Sequence, residues 1–489
     1  MFRLMTACLL QGLFCWMAAA AAAQDLPVQC PAGAIVLSPG RSIQAAADAA
    51  GPDARFCLMP GLYRQQSVTP LDGQQFFGLP GSILNGSQIL KGFQRSGAYW
   101  VAQAADPIGS DGGVCARGHG ACARPAGLFL DGLPLARAAT LADMAPGKFF
   151  FDPLRRRVML AADPTGRMVE WAMTRHAFAG TADNVTIEGL LLEKYANPAQ
   201  EGTIWPGGYA WTLRRLEARF NNGVGLVAGS GGMIENSNVH HNGQLGIGAG
   251  GASNVVIRSN RIWANNTNGF DDSWEAGGLK FAGCSQVVLS GNDVHDNNGP
   301  GLWGDENCQN TRIEGNTVKN NASAGIFYEI SSDATISGNV LSGNGAGRSW
   351  FWGAEIQVAA SRNVVVSGNT LTVRPNGKAV MLIDQNRERA GGGYYQTRNA
   401  SIQNNRITFL GNGVAGGVSD AGPGAANDGI IQHGGNQFDR NAYYVRPGAT
   451  LGFMWGRDLF DLDAFRGLGQ ERLGTLTGIA ADATGQAVP

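Results

Sequence analysis

Charge is scarce in this chain: Asp, Glu, Lys and Arg make up 15% of 489 residues, and the formal net charge is −1. No basic run and no interleaved basic and aromatic stripe occurs, which argues against a nucleic-acid partner and for a neutral, polar one. Histidine is sparse, with six residues, and no Cys/His spacing resembles a zinc site, so no metal and no cofactor are expected. Helical periodicity is weak, and no apolar stretch has the length of a membrane span. Glycine, by contrast, reaches 72 residues, roughly twice the usual usage of about 7%.

The glycines sit in a repeat. Asn238, Asn260, Asn292, Asn316, Asn339, Asn369 and Asn405 each follow a short β-branched strand, at steps of 22, 32, 24, 23, 30 and 36 residues. A period near 23 with occasional insertions is the signature of a solenoid. The strands alternate, as in Val-Val-Leu-Ser-Gly-Asn and Val-Val-Val-Ser-Gly-Asn, so one face of each is buried. Gly-Asn pairs tolerate positive φ and turn the chain sharply, and Asn side chains stacked on successive turns can hydrogen-bond along the ladder. Antiparallel hairpins fit poorly because the period is long and the coils repeat head to tail. The expected fold is all-β, a right-handed parallel β-helix with a small inserted β-rich subdomain.

Residues 1–23, with Arg3, an apolar stretch through Leu13, Phe14 and Trp16, and Ala18 to Ala23, read as a signal peptide. The protein is therefore expected to be exported, periplasmic or extracellular. Cys8 has too short an apolar segment before it to be a lipoprotein site. Six cysteines remain after the signal, and an even number in an exported chain points to disulfides. Cys284 lies eight residues before Asn292 and Cys308 eight before Asn316, the same place on adjacent coils. Coil neighbours about 4.8 Å apart fall within the Cα separation of a disulfide, so a Cys284–Cys308 bridge is expected. Cys115 and Cys122 flank a short Gly-His-Gly loop and are expected to pair, leaving Cys30 with Cys57. Beyond the signal, residues 24–98 read as an N-terminal cap and first coils, with a short helix from Ser42. Residues 99–177 read as the insertion, 178–452 as the main helix and 453–489 as a tail that caps the last coil.

Two aligned segments carry chemistry. Asp305 is four residues after Gly301 and Glu329 four after Gly325, so both acids share a phase. Alternation points Leu279, Leu302 and Ile326 inward, Lys280, Trp303 and Phe327 outward, Phe281 and Tyr328 inward, and Asp305 and Glu329 outward again. The coil from Gly301 has one extra residue before its cysteine, a bulge of the kind that re-aims side chains beside active sites. Stacked carboxylates about 5 Å apart match the spacing of retaining glycosidases rather than inverting ones. Their proximity also forces one pKa upward, which prepares an acid and a nucleophile together. Trp303, Phe327 and Trp274, with Trp350, Trp352, Tyr394 and Tyr395 nearby in sequence, are candidates to stack on sugar rings. Lys280, Glu275, Glu355 and Asp384 flank the pair, and Glu355 is taken as a substrate-binding candidate.

Trp274-Glu-Ala-Gly-Gly-Leu-Lys-Phe, Gly301-Leu-Trp-Gly-Asp-Glu-Asn-Cys and Gly325-Ile-Phe-Tyr-Glu-Ile-Ser resemble the catalytic coils of glycoside hydrolase family 120 β-xylosidases and related β-helix glycosidases, over residues 274 to 338. The resemblance implies a right-handed β-helix with a β-sandwich insertion and a retaining mechanism. It also implies Asp305 as nucleophile, Glu329 as acid/base and Glu275 as supporting carboxylate. The expected partner is a polysaccharide or oligosaccharide, bound by a monomer. Two alternatives stay open. One is a lyase or epimerase of uronate polymers, with Lys280 as base and calcium held by Asp271, Asp272, Glu275 and Asp305. The other is a non-catalytic carbohydrate-binding β-helix. Gly118-His119-Gly120 resembles a pectinase tripeptide but reads as a plain loop.

Overall fold

The computed structural model describes residues 28–479 except 107 and 109–111; the signal-peptide reading of 1–23 lies outside them. Three long parallel sheets of 13, 13 and 12 strands run the length of the molecule. From Phe178 to Val445 each coil gives one strand to each sheet, and successive coils pair in register, as in Val288↔Arg312↔Thr335↔Val365. The fold is a right-handed parallel β-helix. Its interior is one continuous apolar core in which Ile257, Leu289, Ile313, Ile336 and Val366 stack in file.

The turn chemistry follows from the Gly-Asn pairs. Gly291, Gly315, Gly338 and Gly368 hold φ of 62°, 62°, 63° and 64°, left-handed values that a side chain would oppose. Each following Asn is buried and fully used. Asn292 donates from its backbone N–H and Nδ2 to Asn316 Oδ1, both at 2.9 Å, and from Nδ2 to the Ile257 carbonyl at 3.0 Å on the coil before. The file runs Asn260, Asn292, Asn316, Asn339, Asn369, Asn405 and Asn441. It begins at Ser237, whose N–H donates to Asn260. Asn238, expected in the file, points elsewhere and accepts from Trp263 Nε1. A second file, Asn221, Asn242, Asn265, Asn297, Asn321 and Asn344, lies at the next turn of the coils it crosses. Both files end on a buried glutamate that only accepts: Glu471 takes Asn441 Nδ2 at 2.6 Å, and Glu355 takes Asn344 Nδ2 at 2.5 Å.

At one end the helix Ile43–Ala50, capped by the Ser42 hydroxyl, lays Ile43 and Ala47 over the first coil. At the other, the helix Leu462–Gly467, capped by Asp461, buries Phe465 against Phe453 with ring centroids 4.8 Å apart. Between the early coils an eight-stranded, mainly antiparallel sheet is inserted, from Ser87–Ile89 to Val169–Ala172. Its own core gathers Trp171, Phe149, Phe151, Val158 and Leu160. Buried Glu170 ties it to the helix by ion pairs with Arg64 at 2.9 Å and Lys194 at 2.5 Å.

The disulfides Cys30–Cys57 and Cys115–Cys122 are present. The expected Cys284–Cys308 bridge is not: both are buried thiols, with the Cys284 N–H donating to Cys308 Sγ at 3.3 Å. The bridge Ser285↔Gln309 confirms that they stack on adjacent coils. In-register neighbours on a parallel sheet point the same way, so their Cβ atoms stay a full strand spacing apart, about 4.8 Å, while a disulfide draws them to about 3.8 Å. No helix among the described residues is long and apolar enough to cross a membrane.

Candidate active site

Three strands build the centre of the site: Gly277–Ala282, Leu302–Asp305 and Ile326–Glu329. Their register pairs Lys280, Trp303 and Phe327 in one outward column and sets Asp305 opposite Ala282. Glu329 stands one residue past the Gly304↔Tyr328 pair, on the coil above Asp305. Gly304 occupies the inward position between them. A Cβ there would meet Phe281 at 2.5 Å and Tyr328 at 2.8 Å, so the glycine lets the two buried rings close over the strand that carries Asp305. The extra residue of this coil is absorbed just after Asp305, where Glu306 and Asn307 both take left-handed φ of 52° and 65°.

The charges interlock. Lys280 Nζ lies 2.9 Å from Glu275 Oε2, 2.9 Å from Asp305 Oδ2 and 3.0 Å from the Trp274 carbonyl, and 3.7 Å above the Trp303 ring. Burial works against its ammonium, but Glu275 and Asp305 outweigh burial and raise its pKa. The other oxygen of Asp305 accepts the Glu306 N–H at 2.8 Å. Burial, and then Lys280 and Asp305 with opposite signs, leave the Glu275 pKa raised. Glu329 is pushed up to about 7, first by burial and second by the Asp305 charge, with Arg387 and Lys280 opposing. Its Oε1 pairs with Arg387. The Trp303 indole nitrogen is near enough to favour the ionised Glu329 yet forms no hydrogen bond of its own.

These groups line a cleft of about 1060 Å³ that runs back over the earlier coils to Trp205, Tyr209 and Asp183. The disulfide loop of the insertion braces its edge: Cys115 pairs with Phe270, and Asp271 N–H donates to the Val114 carbonyl at 2.9 Å. That contact sets the segment bearing Trp274 and Glu275, both of which line the cleft.

The structure thus gathers Asp305, Glu329, Glu275, Lys280 and Trp274 around one space. Trp303 and Phe327 differ from expectation: they are 2% and 8% exposed, stacked 5.4 Å apart, with Trp352 edge-on to Phe327. They point away from the solenoid core, but loops cover them, so they support the acids rather than offer open faces. Exposed rings are instead supplied by Trp205 and Tyr209, 37% and 50% exposed. Glu355 does not reach the cleft; it terminates the second asparagine file, and burial raises its pKa to about 8. Asp384 is likewise internal, accepting the Thr397 N–H at 3.0 Å. Asp271 holds Ser273, and Asp272 pairs with Arg348. His119 packs against Gly269.

Arg387 was not among the sequence candidates. It sits on a segment after Gly377–Asp384 that folds back through the bridge Glu388↔Tyr394. Tyr395 Oη donates to Asn307 Oδ1 at 2.7 Å, and Asn427 Nδ2 holds the Gln385 and Tyr395 carbonyls at 2.6 and 2.7 Å.

Residues 203–371 match the family described as right handed beta helix region. No curated protein matches the chain by sequence. Among solved structures, the complex of XylC with xylose aligns at 15% identity over 89% of this chain and 82% of the other, with a TM-score of 0.65. The Azotobacter vinelandii mannuronan C-5 epimerase AlgE6 A-module aligns at 16% identity over 89% and 92%, with a TM-score of 0.49. The XylC likeness bears on the fold, which is that of a parallel β-helix protein along nearly the whole chain.

Proposed function

We propose that the protein is an exported carbohydrate-active enzyme, a retaining glycoside hydrolase in which Asp305 is the nucleophile and Glu329 the acid/base. The observation that carries this reading is the pair itself: Glu329, raised to about 7 by burial and by the Asp305 charge, stands one coil above a carboxylate held by Lys280. One coil is about 4.8 Å, close to the separation used by retaining enzymes. Asp305 attacks the anomeric carbon as the bond to the leaving oxygen breaks and Glu329 gives that oxygen its proton. Water then enters, Glu329 removes its proton, and the bond to Asp305 breaks with net retention. Glu275 and Lys280 keep the nucleophile oriented. Trp205 and Tyr209 offer faces for further sugar units along the cleft. The two disulfides agree with an exporting route.

A uronate lyase or epimerase needs a base that can lose its proton. Lys280 fits poorly, because its ammonium is spoken for by two carboxylates and a carbonyl, and its pKa is raised.

The test is a panel of aryl glycosides and oligosaccharides, xylosides included, with product stereochemistry followed by NMR. Retention with Asp305→Ala folded but inactive is expected. Inversion, an unsaturated product, or an Asp305→Ala variant that keeps substantial turnover would each defeat the assignment.

A further inference from the structure

A second cavity lies on the seam between the insertion and the solenoid, apart from the catalytic cleft. One lobe, of about 420 Å³, is bordered by Arg124, Arg137, Lys148 and His119 from the insertion and by Asn222 and Asn268 from the solenoid. A second lobe, of about 250 Å³, shares Asn222, Thr267 and Asn268 with the first and is walled by Phe129, Phe220 and His241. The two lobes form one groove, cationic at one end and aromatic at the other.

The cations have no ion pair among the described residues. Among the described residues none of Arg124, Arg137 and Lys148 has a carboxylate within ion-pair distance, whereas Arg64, Arg214, Arg219 and Arg258 all do. The one carboxylate among the described residues bordering the lobe, Asp143, already accepts the Thr140 hydroxyl at 2.7 Å and N–H at 2.9 Å. Arg137 is the centre of the cluster. Its guanidinium lies over Phe149, Phe151 and Trp171 at 5.3, 5.7 and 5.9 Å, and Nη1 reaches only the Arg124 carbonyl at 3.3 Å. Nε and Nη2 are buried with no acceptor. Burial, opposed by Asp106 and reinforced by Arg124, pulls its pKa down to about 10. Like charges gathered in a recess with donors to spare are costly unless an anion joins them, and a planar guanidinium fork suits a carboxylate or sulfate.

We propose that this groove is a second ligand site, in which Arg137, Arg124 and Lys148 receive the oxyanion of an acidic sugar while its ring lies along the Phe129 and Phe220 lobe. It is separate from the hydrolytic centre and does not depend on the reaction assigned there.

Calorimetric titration of the full chain with glucuronate, glucose and inorganic sulfate, at low and at moderate salt, reads the site directly. Glucuronate is expected to bind more tightly than both, with affinity falling as salt rises. The rim double variant Arg124→Ala/Lys148→Ala, which leaves the insertion core intact, is expected to weaken glucuronate about tenfold or more and to leave hydrolysis unchanged. Arg137→Met should weaken it further, and thermal melts of that variant report whether its core is intact. Glucose binding as well as glucuronate would overturn the anionic half of the assignment, and sulfate binding as well as glucuronate would overturn the sugar half. Glucuronate affinity unaffected by the rim double variant would overturn the site altogether.

Discussion

Replacing Arg387 by Met should move the alkaline limb of the pH–activity profile upward. In the proposed mechanism Glu329 is protonated for the first chemical step, and in the free protein its pKa is raised to about 7 by burial and by Asp305, while Arg387 pulls the other way. An opposite charge at contact distance depresses a carboxyl by roughly 1–3 units. Arg387 is 44% exposed and Glu329 9%, so solvent screening places the effect at the lower end, about one unit or about 1.4 kcal/mol. The sign is set: removing a cation that favours the carboxylate leaves Glu329 protonated to higher pH. The assay is kcat/KM between about pH 5 and 9 on a glycoside with a poor leaving group, which depends on the acid more than an activated aryl glycoside does. Aligned wild-type and variant limbs, or a limb that moves to lower pH, would refute the reasoning and disconnect Arg387 from the proton on Glu329.

Other perturbations probe the scaffold. Asn316→Ala removes an amide whose five hydrogen bonds serve its own and both neighbouring coils; a loss of about 2–4 kcal/mol is expected in denaturant melts, because the buried Asn292 N–H loses its acceptor. Gly304→Ala forces a methyl group against Phe281 and Tyr328, costing about 1–3 kcal/mol, and should lower kcat through displacement of Asp305 rather than raise KM alone. Thiol titration of the mature protein, denatured without reductant, should count two free cysteines, Cys284 and Cys308; a count of zero would mean that the two do bridge.

The solenoid was readable because its turns demand particular residues: left-handed glycines and amide ladders leave Gly-Asn pairs at four successive coils, and the strands between them alternate. The second asparagine file recurs with much the same spacing, at Asn242, Asn265, Asn297, Asn321 and Asn344, and was legible in principle. Asp305, Glu329, Lys280 and Glu275 come close in sequence, so register alone brings them close in space. Alternation says which way Trp303 and Phe327 leave the sheet but not what will lie on top of them, and long loops decide that. Arg387 was beyond reach for the same reason: it arrives from 58 residues past Glu329, on a segment with Gly391, Gly392 and Gly393 that has no repeat to index it. Glu355 looked like a cleft acid because an acid in a β-helix coil has the same appearance whether it faces a ligand or ends a hydrogen-bond file.

That last distinction gives the asparagine files a grammar. Each amide between the ends of a file accepts from the coil before it and donates to the amide oxygen on the coil after it, while its Nδ2 also reaches back to a carbonyl of the preceding coil, so each step is an instruction that another step follows. A glutamate that takes up the last amide's donors is a full stop. A duplicated coil inserted anywhere ahead of Glu471 would be read in the same sense as its neighbours and would lengthen the rod without disturbing either end. Cleft length in such a protein is therefore open to change by whole coils, one strand spacing at a time, while each file stops where a glutamate takes up its last amide, Glu355 within the rod and Glu471 at its end.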